Sequence, residues 1–165
     1  MDISQLITPD RVKCLSGIKS KKRALESLGQ LLSSGAMGVD PTDIFHHLVE
    51  RERLGSTGLG HGVALPHARL AFQVESQNGS SDSSMGCFIK LNSGVDFDSP
   101  DSQPADLLFA LLVPENCTDE HLQILAALAG MFSDPQFCDK LRHCESDEEL
   151  YTLLSGWTHS HQAAS

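Results

Sequence analysis

Three features of the chain predict an α/β fold, a single-domain sandwich with a central mixed β-sheet flanked by helices. Apolar residues recur at helical spacing toward both ends, and short apolar runs of strand length sit in the middle. The run Leu107–Val113 is apolar throughout, as expected of a central strand covered on both faces. With 165 residues and 40% hydrophobic content, the chain has the size of one compact domain. That domain is expected over residues 1–156, with a frayed tail at 157–165.

Taken in order, Arg11–Leu15 alternates weakly and reads as an early strand ending at Ser16-Gly17. Ser20 then caps a helix whose core face is Ala24, Leu25, Leu28, Leu31 and Leu32, with Gly35 as its stop. Asp40 followed by Pro41 starts a second helix with a buried stripe of Ile44, Phe45 and Leu48. It runs into Glu50-Arg51-Glu52-Arg53, which on charge alone reads as a solvated helix end. Gly55, Gly58, Gly60 and Gly62 free the backbone before Val63-Ala64-Leu65, a short buried strand. Pro66 lacks a donor and stops that strand's ladder, so His67 is expected at a strand end.

Residues 75–84 are polar without any hydrophobic period and read as a mobile loop. Met85–Leu91 and Asp106–Val113 are strands joined by a Ser/Asp/Pro-rich connection. Thr118 caps a helix carrying His121, Leu122, Leu125, Leu128 and Phe132, with Asp119 and Glu120 in its first turn. Asp134-Pro135 opens a short helix holding Phe137 and Leu141, and Ser146 with Glu149 forms a capping box for a last helix. That helix buries Leu150, Leu153 and Leu154 and stops before Gly156.

Several functional classes fall away on composition. A net charge of −10 argues against binding a nucleic-acid backbone. No run is long and apolar enough for membrane insertion, and Met1-Asp2-Ile3-Ser4 lacks the features of a signal peptide, so a cytoplasmic protein is expected. Five cysteines without a C-x-x-C pair are expected to be free thiols. The glycine run is no dinucleotide fingerprint, because Val63 stands where a third glycine is needed; nor is it a P-loop, because His61 stands where lysine is needed. The eight histidines show no zinc spacing, so neither metal nor cofactor is expected.

The stretch Leu54–Arg69, reading LGSTGLGHGVALPHAR, resembles the active-site motif of the fructose/mannitol type of enzyme IIA in the bacterial phosphotransferase system, and within it the nitrogen-regulatory branch. The likeness runs from Ile3 to Ser155 and includes Gln103–Pro114 and Ser146–Leu150; residues 75–84 are longer than in the family. The resemblance implies that His67 carries a phosphoryl group and that Arg51 and His121 support it. On position alone, His121 reads as an ordinary first-turn surface residue.

Histidine suits such a role, since a neutral imidazole offers one nitrogen as nucleophile while a hydrogen bond fixes the other. Phosphoryl transfer depends mainly on positioning and charge stabilisation, and the Thr57 hydroxyl is a further candidate donor. The resemblance implies a phosphotransferase activity, a histidine-containing phosphocarrier protein as donor, and regulatory target proteins that read the phosphorylation state. The rival readings are a sugar-specific IIA component passing phosphate to a IIB domain and a regulatory domain that binds its targets regardless of phosphorylation. A histidine-dependent hydrolase is a weaker third, because no nucleophile with an oriented base is recognisable.

Overall fold

The computed structural model of the protein describes residues 3–74, 84–115 and 119–163. The 75–83 part of the polar loop, the Thr118 cap and Cys117 lie outside the described residues.

Strands β1 (Val12–Leu15), β3 (Gly58–Gly60), β4 (Val63–Ala64), β5 (His67–Leu70), β7 (Met85–Val95) and β8 (Ala105–Pro114) make one six-stranded sheet. Its order is β1-β7-β8-β4-β3, with β5 also on β8. The β7–β8 and β3–β4 pairs are antiparallel, whereas β1 on β7 and both β4 and β5 on β8 are parallel, so the sheet is mixed. The two-residue strands β2 (Ala36–Met37) and β6 (Gln73–Val74) pair separately.

Helices α1 (Lys21–Ser33) and α2 (Pro41–Leu54) cover one face; α3 (Asp119–Phe132), α4 (Pro135–His143) and α5 (Asp147–Ala163) cover the other. Strand β8 shows why its sequence is apolar without alternation. Leu107, Phe109, Leu111 and Val113 point into the core under α3–α5, and Leu108, Ala110 and Leu112 into the core under α1 and α2. Each of these residues is at most 1% exposed. Phe132 of α3 stacks on Phe88 at 6.0 Å and meets Phe109 edge-on at 6.2 Å, tying α3 to the sheet centre.

The capping residues act as their types predict. Ser20 accepts from the Arg23 amide, Asp40 from the Asp43 amide and Asp134 from the Gln136 and Phe137 amides. The Glu149 amide donates to Ser146 at the start of α5.

Two expectations are corrected. The ladder does not end at Pro66: β5 resumes in the same register on β8, Val63 opposite Leu107 and His67 opposite Leu111. The Pro66 carbonyl still accepts from the Leu111 amide at 2.9 Å, so the missing N–H interrupts the strand without ending it. His67 therefore opens a strand. Beyond Gly55, the C-cap of α2, the glycine run precedes this strand. It forms β3 and the tight turn to β4, where Gly60, His61 and Gly62 all have positive φ and Asp101 accepts from the His61 amide at 2.8 Å.

Finally, α5 passes through Gly156 to Ala163, so the expected stop before Gly156 does not occur; residues 164–165 lie outside the described residues. A glycine inside a helix costs only about 1 kcal/mol relative to alanine. The Trp157 ring packs 6.1 Å from Phe137 against the core, a contact that carries the helix beyond it.

Candidate active site

Strand alternation and one helix end assemble the site. Along β5, Ala68 and Leu70 turn into the α1–α2 core, which puts His67 and Arg69 on the opposite face, the one α3 covers. Arg51 comes from the last turn of α2, and its Nη1 donates to the Gly55 carbonyl at 2.9 Å where the helix ends. His121 lies in the first turn of α3.

The hydrogen bonds assign both imidazole tautomers, because a guanidinium only donates. Arg51 Nε lies 3.1 Å from His67 Nε2, so Nε2 accepts and holds a lone pair. The ring's proton then sits on Nδ1, which donates to the Leu65 carbonyl at 3.0 Å. In the same way Arg69 Nη2 donates to His121 Nδ1 at 3.1 Å, leaving the proton of His121 on Nε2. The two rings lie 5.6 Å apart and tilted by 49°.

Burial lowers the pKa of half-buried His67; its bond to the Leu65 carbonyl opposes this, while the Arg51 and Arg69 charges lower it further. His121 is also lowered, first by burial and then by its His67, Arg69 and Arg51 neighbours. Both rings are thus held neutral near pH 7. They line a cavity of about 350 Å³ together with Arg51, Arg69, Leu54 and Val113.

The structure thus brings His67, His121 and Arg51 together and adds Arg69, which the sequence reading passed over. The signal was available: Arg69 is two residues beyond His67, on the same side of a strand. Thr57 is used differently from the expectation. It is buried, and both its amide and its hydroxyl donate to the Glu52 carboxylate, which also meets Lys21 Nζ at 2.8 Å. Glu52, read as part of a solvated run, is 9% exposed. This network fastens the end of α2, and with it Arg51, to the following loop.

A larger cavity of about 600 Å³ lies toward the other end of β8, around the Arg142–Asp106 ion pair. Its Cys138 thiol has its pKa pushed up by burial and is no thiolate at neutral pH. Among the described residues, Cys14, Cys87, Cys138 and Cys144 are free thiols, and no group of three or more His, Cys, Asp or Glu is placed to hold a metal ion.

The family described as phosphoenolpyruvate-dependent sugar phosphotransferase system, EIIA 2, matches residues 5–157. The nitrogen regulatory protein of Pseudomonas aeruginosa is 40% identical over 152 residues, covering 92% of this chain and 94% of that protein. The crystal structure of nitrogen regulatory protein IIA-Ntr from Neisseria meningitidis superposes with a TM-score of 0.79 at 40% identity, over 92% of this chain and 98% of that one. The mannitol IIA protein of Escherichia coli shares the fold, with a TM-score of 0.68 at 22% identity over 90% of this chain and 98% of that one. A match that long, together with relatives that align almost end to end, makes this chain a member of the EIIA 2 family of the phosphotransferase system.

Proposed function

We propose that the chain is a cytoplasmic phosphoryl carrier that accepts a phosphoryl group on His67 Nε2 from a histidine-containing phosphocarrier protein and signals its phosphorylation state to regulatory targets. The observation that carries this reading is the Arg51 Nε to His67 Nε2 contact, made while Nδ1 is fixed on the Leu65 carbonyl. One nitrogen is thereby a positioned nucleophile and the other a fixed donor.

In the transfer, a bond forms between phosphorus and His67 Nε2 as the bond from phosphorus to the donor's imidazole nitrogen breaks, its electron pair staying on the donor ring. The Arg51 N–H that occupies the Nε2 lone pair moves its hydrogen bond to a phosphoryl oxygen, while His67 Nδ1–H stays on Leu65. His121 Nε2–H is a second donor at the same cavity, and no nucleotide takes part.

The rim supports docking by a protein. Leu54 is 85% exposed and lines the cavity, and Leu122, next to His121, is 63% exposed. Among the described residues no helix is long and apolar enough to cross a membrane. A regulatory output draws its support from relatives named nitrogen regulatory protein.

Incubation with phosphoenolpyruvate, enzyme I and the phosphocarrier, followed by mapping of acid-labile phosphate, tests the reading. Label is expected on His67, and His67→Ala is expected to fold normally and take up none. Wild-type label in His67→Ala would move the acceptor elsewhere.

A further inference from the structure

Of the histidines that line the cavity, His67 and His121 are each held by an arginine, and the second pair has no assigned purpose. We propose that Arg69 is a positioning residue for phosphoryl transfer: it holds the His121 ring so that Nε2–H faces the group arriving on His67. The inference rests on His67 being the acceptor.

The geometry is specific. Arg69 stands opposite Val113 in the β5–β8 ladder and projects from the same face as His67. From there Nη2 reaches His121 Nδ1 at 3.1 Å, across 52 positions of sequence. Since the guanidinium can only donate, this contact excludes the Nδ1–H tautomer and obliges a neutral His121 to carry its proton on Nε2. Without Arg69 the ring is free to exchange tautomers and to turn, and the donor is no longer fixed. Positioned donors owe their effect on charge-separating steps to being fixed before the reaction begins.

A purely structural role for Arg69 does not fit its surroundings. Its bond to His121 is exposed, and exposed polar pairs contribute little to stability. Moreover, burial and the Arg69 and Arg51 charges hold His121 below its ordinary pKa, so the ring stays in the neutral form whose tautomer matters.

The test is a double-mutant cycle on the rate of phosphorylation by the phosphocarrier. Arg69→Gln should slow transfer about ten- to a hundredfold, by analogy with losing the hydrogen-bond partner that orients a metal-bound histidine, and Arg69→Lys, which keeps a donor, should recover part of it. In a His121→Ala background, Arg69→Gln should cost about threefold or less, because no ring is left to orient. An equal loss in both backgrounds would overturn the proposal and make Arg69 an independent charge.

Nitrogen-15 spectra of the imidazoles give a second readout that needs no phosphoryl donor. Arg69→Gln should move His121 toward a tautomer mixture and raise its titration midpoint; an unchanged His121 signal overturns the proposal. Failure of the acceptor reading would show separately, as label persisting in His67→Ala.

Discussion

At the scale of single residues, the proposed site keeps an imidazole neutral and pointed. His67 has its pKa lowered from 6.5, first by burial and then by two arginines, against the opposing Leu65 carbonyl. A neutral nucleophile should therefore persist as pH falls below 6.5, and be lost only when the folded-state pKa is crossed. Because the unfolded chain binds that proton at higher pH than the folded one, stability should fall as pH drops from 6.5 through the folded value. An imidazole titration followed by NMR should place the His67 midpoint below 6.5, and a midpoint above it would contradict the account. Sequence made His67 legible through its motif, and Arg51 and His121 through resemblance. Arg69 and Glu52 were not legible, because an arginine on a strand and a glutamate in a charged run both read as surface residues until packing shows what they face.

Among the elements, β8 is the beam on which the site is mounted. His67 pairs with Leu111, which is fully buried, so Leu111→Ala should cost about 2–5 kcal/mol of stability by urea denaturation. A loss under about 1 kcal/mol would mean that this stretch of strand is not the core described. Long elements with strong patterns were readable: β8 from its unbroken apolar run, and α1, α2 and α4 from a capping residue plus periodicity. Short ones were not. Strands β2 and β6 are two residues each, too short for any period to show, and β3 is drawn from glycines whose strand role depends on their partner β4. The run of α5 past Gly156 reflects tertiary packing of Trp157 outweighing a weak local stop.

For the whole molecule, an acidic chain carries a local cationic site. The net charge is −10, yet nine of the 12 lysines and arginines precede residue 70, and two of them, Arg51 and Arg69, line the cavity. In the proposed transfer such a field would steer a partner with a positive face to the molecule, while the two arginines of the pocket would attract a phosphoryl group. Phosphorylation would place up to about two negative charges in the cavity that the exposed Leu54 lines. A regulatory target docking on that apolar rim should then prefer the unphosphorylated form by about 1–3 kcal/mol, measurable as a difference in affinity between the two forms. Equal affinities would favour simple relay of phosphate to a IIB domain. In the proposed transfer the lone pair on His67 Nε2, set by Arg51 and Leu65, is the nucleophile. Nitrogen-15 and phosphorus NMR of the phosphorylated protein tests it directly. Phosphorus coupled to His67 Nε2, with Nδ1 still protonated, is the predicted result; phosphorus on Nδ1, or on His121, would contradict it.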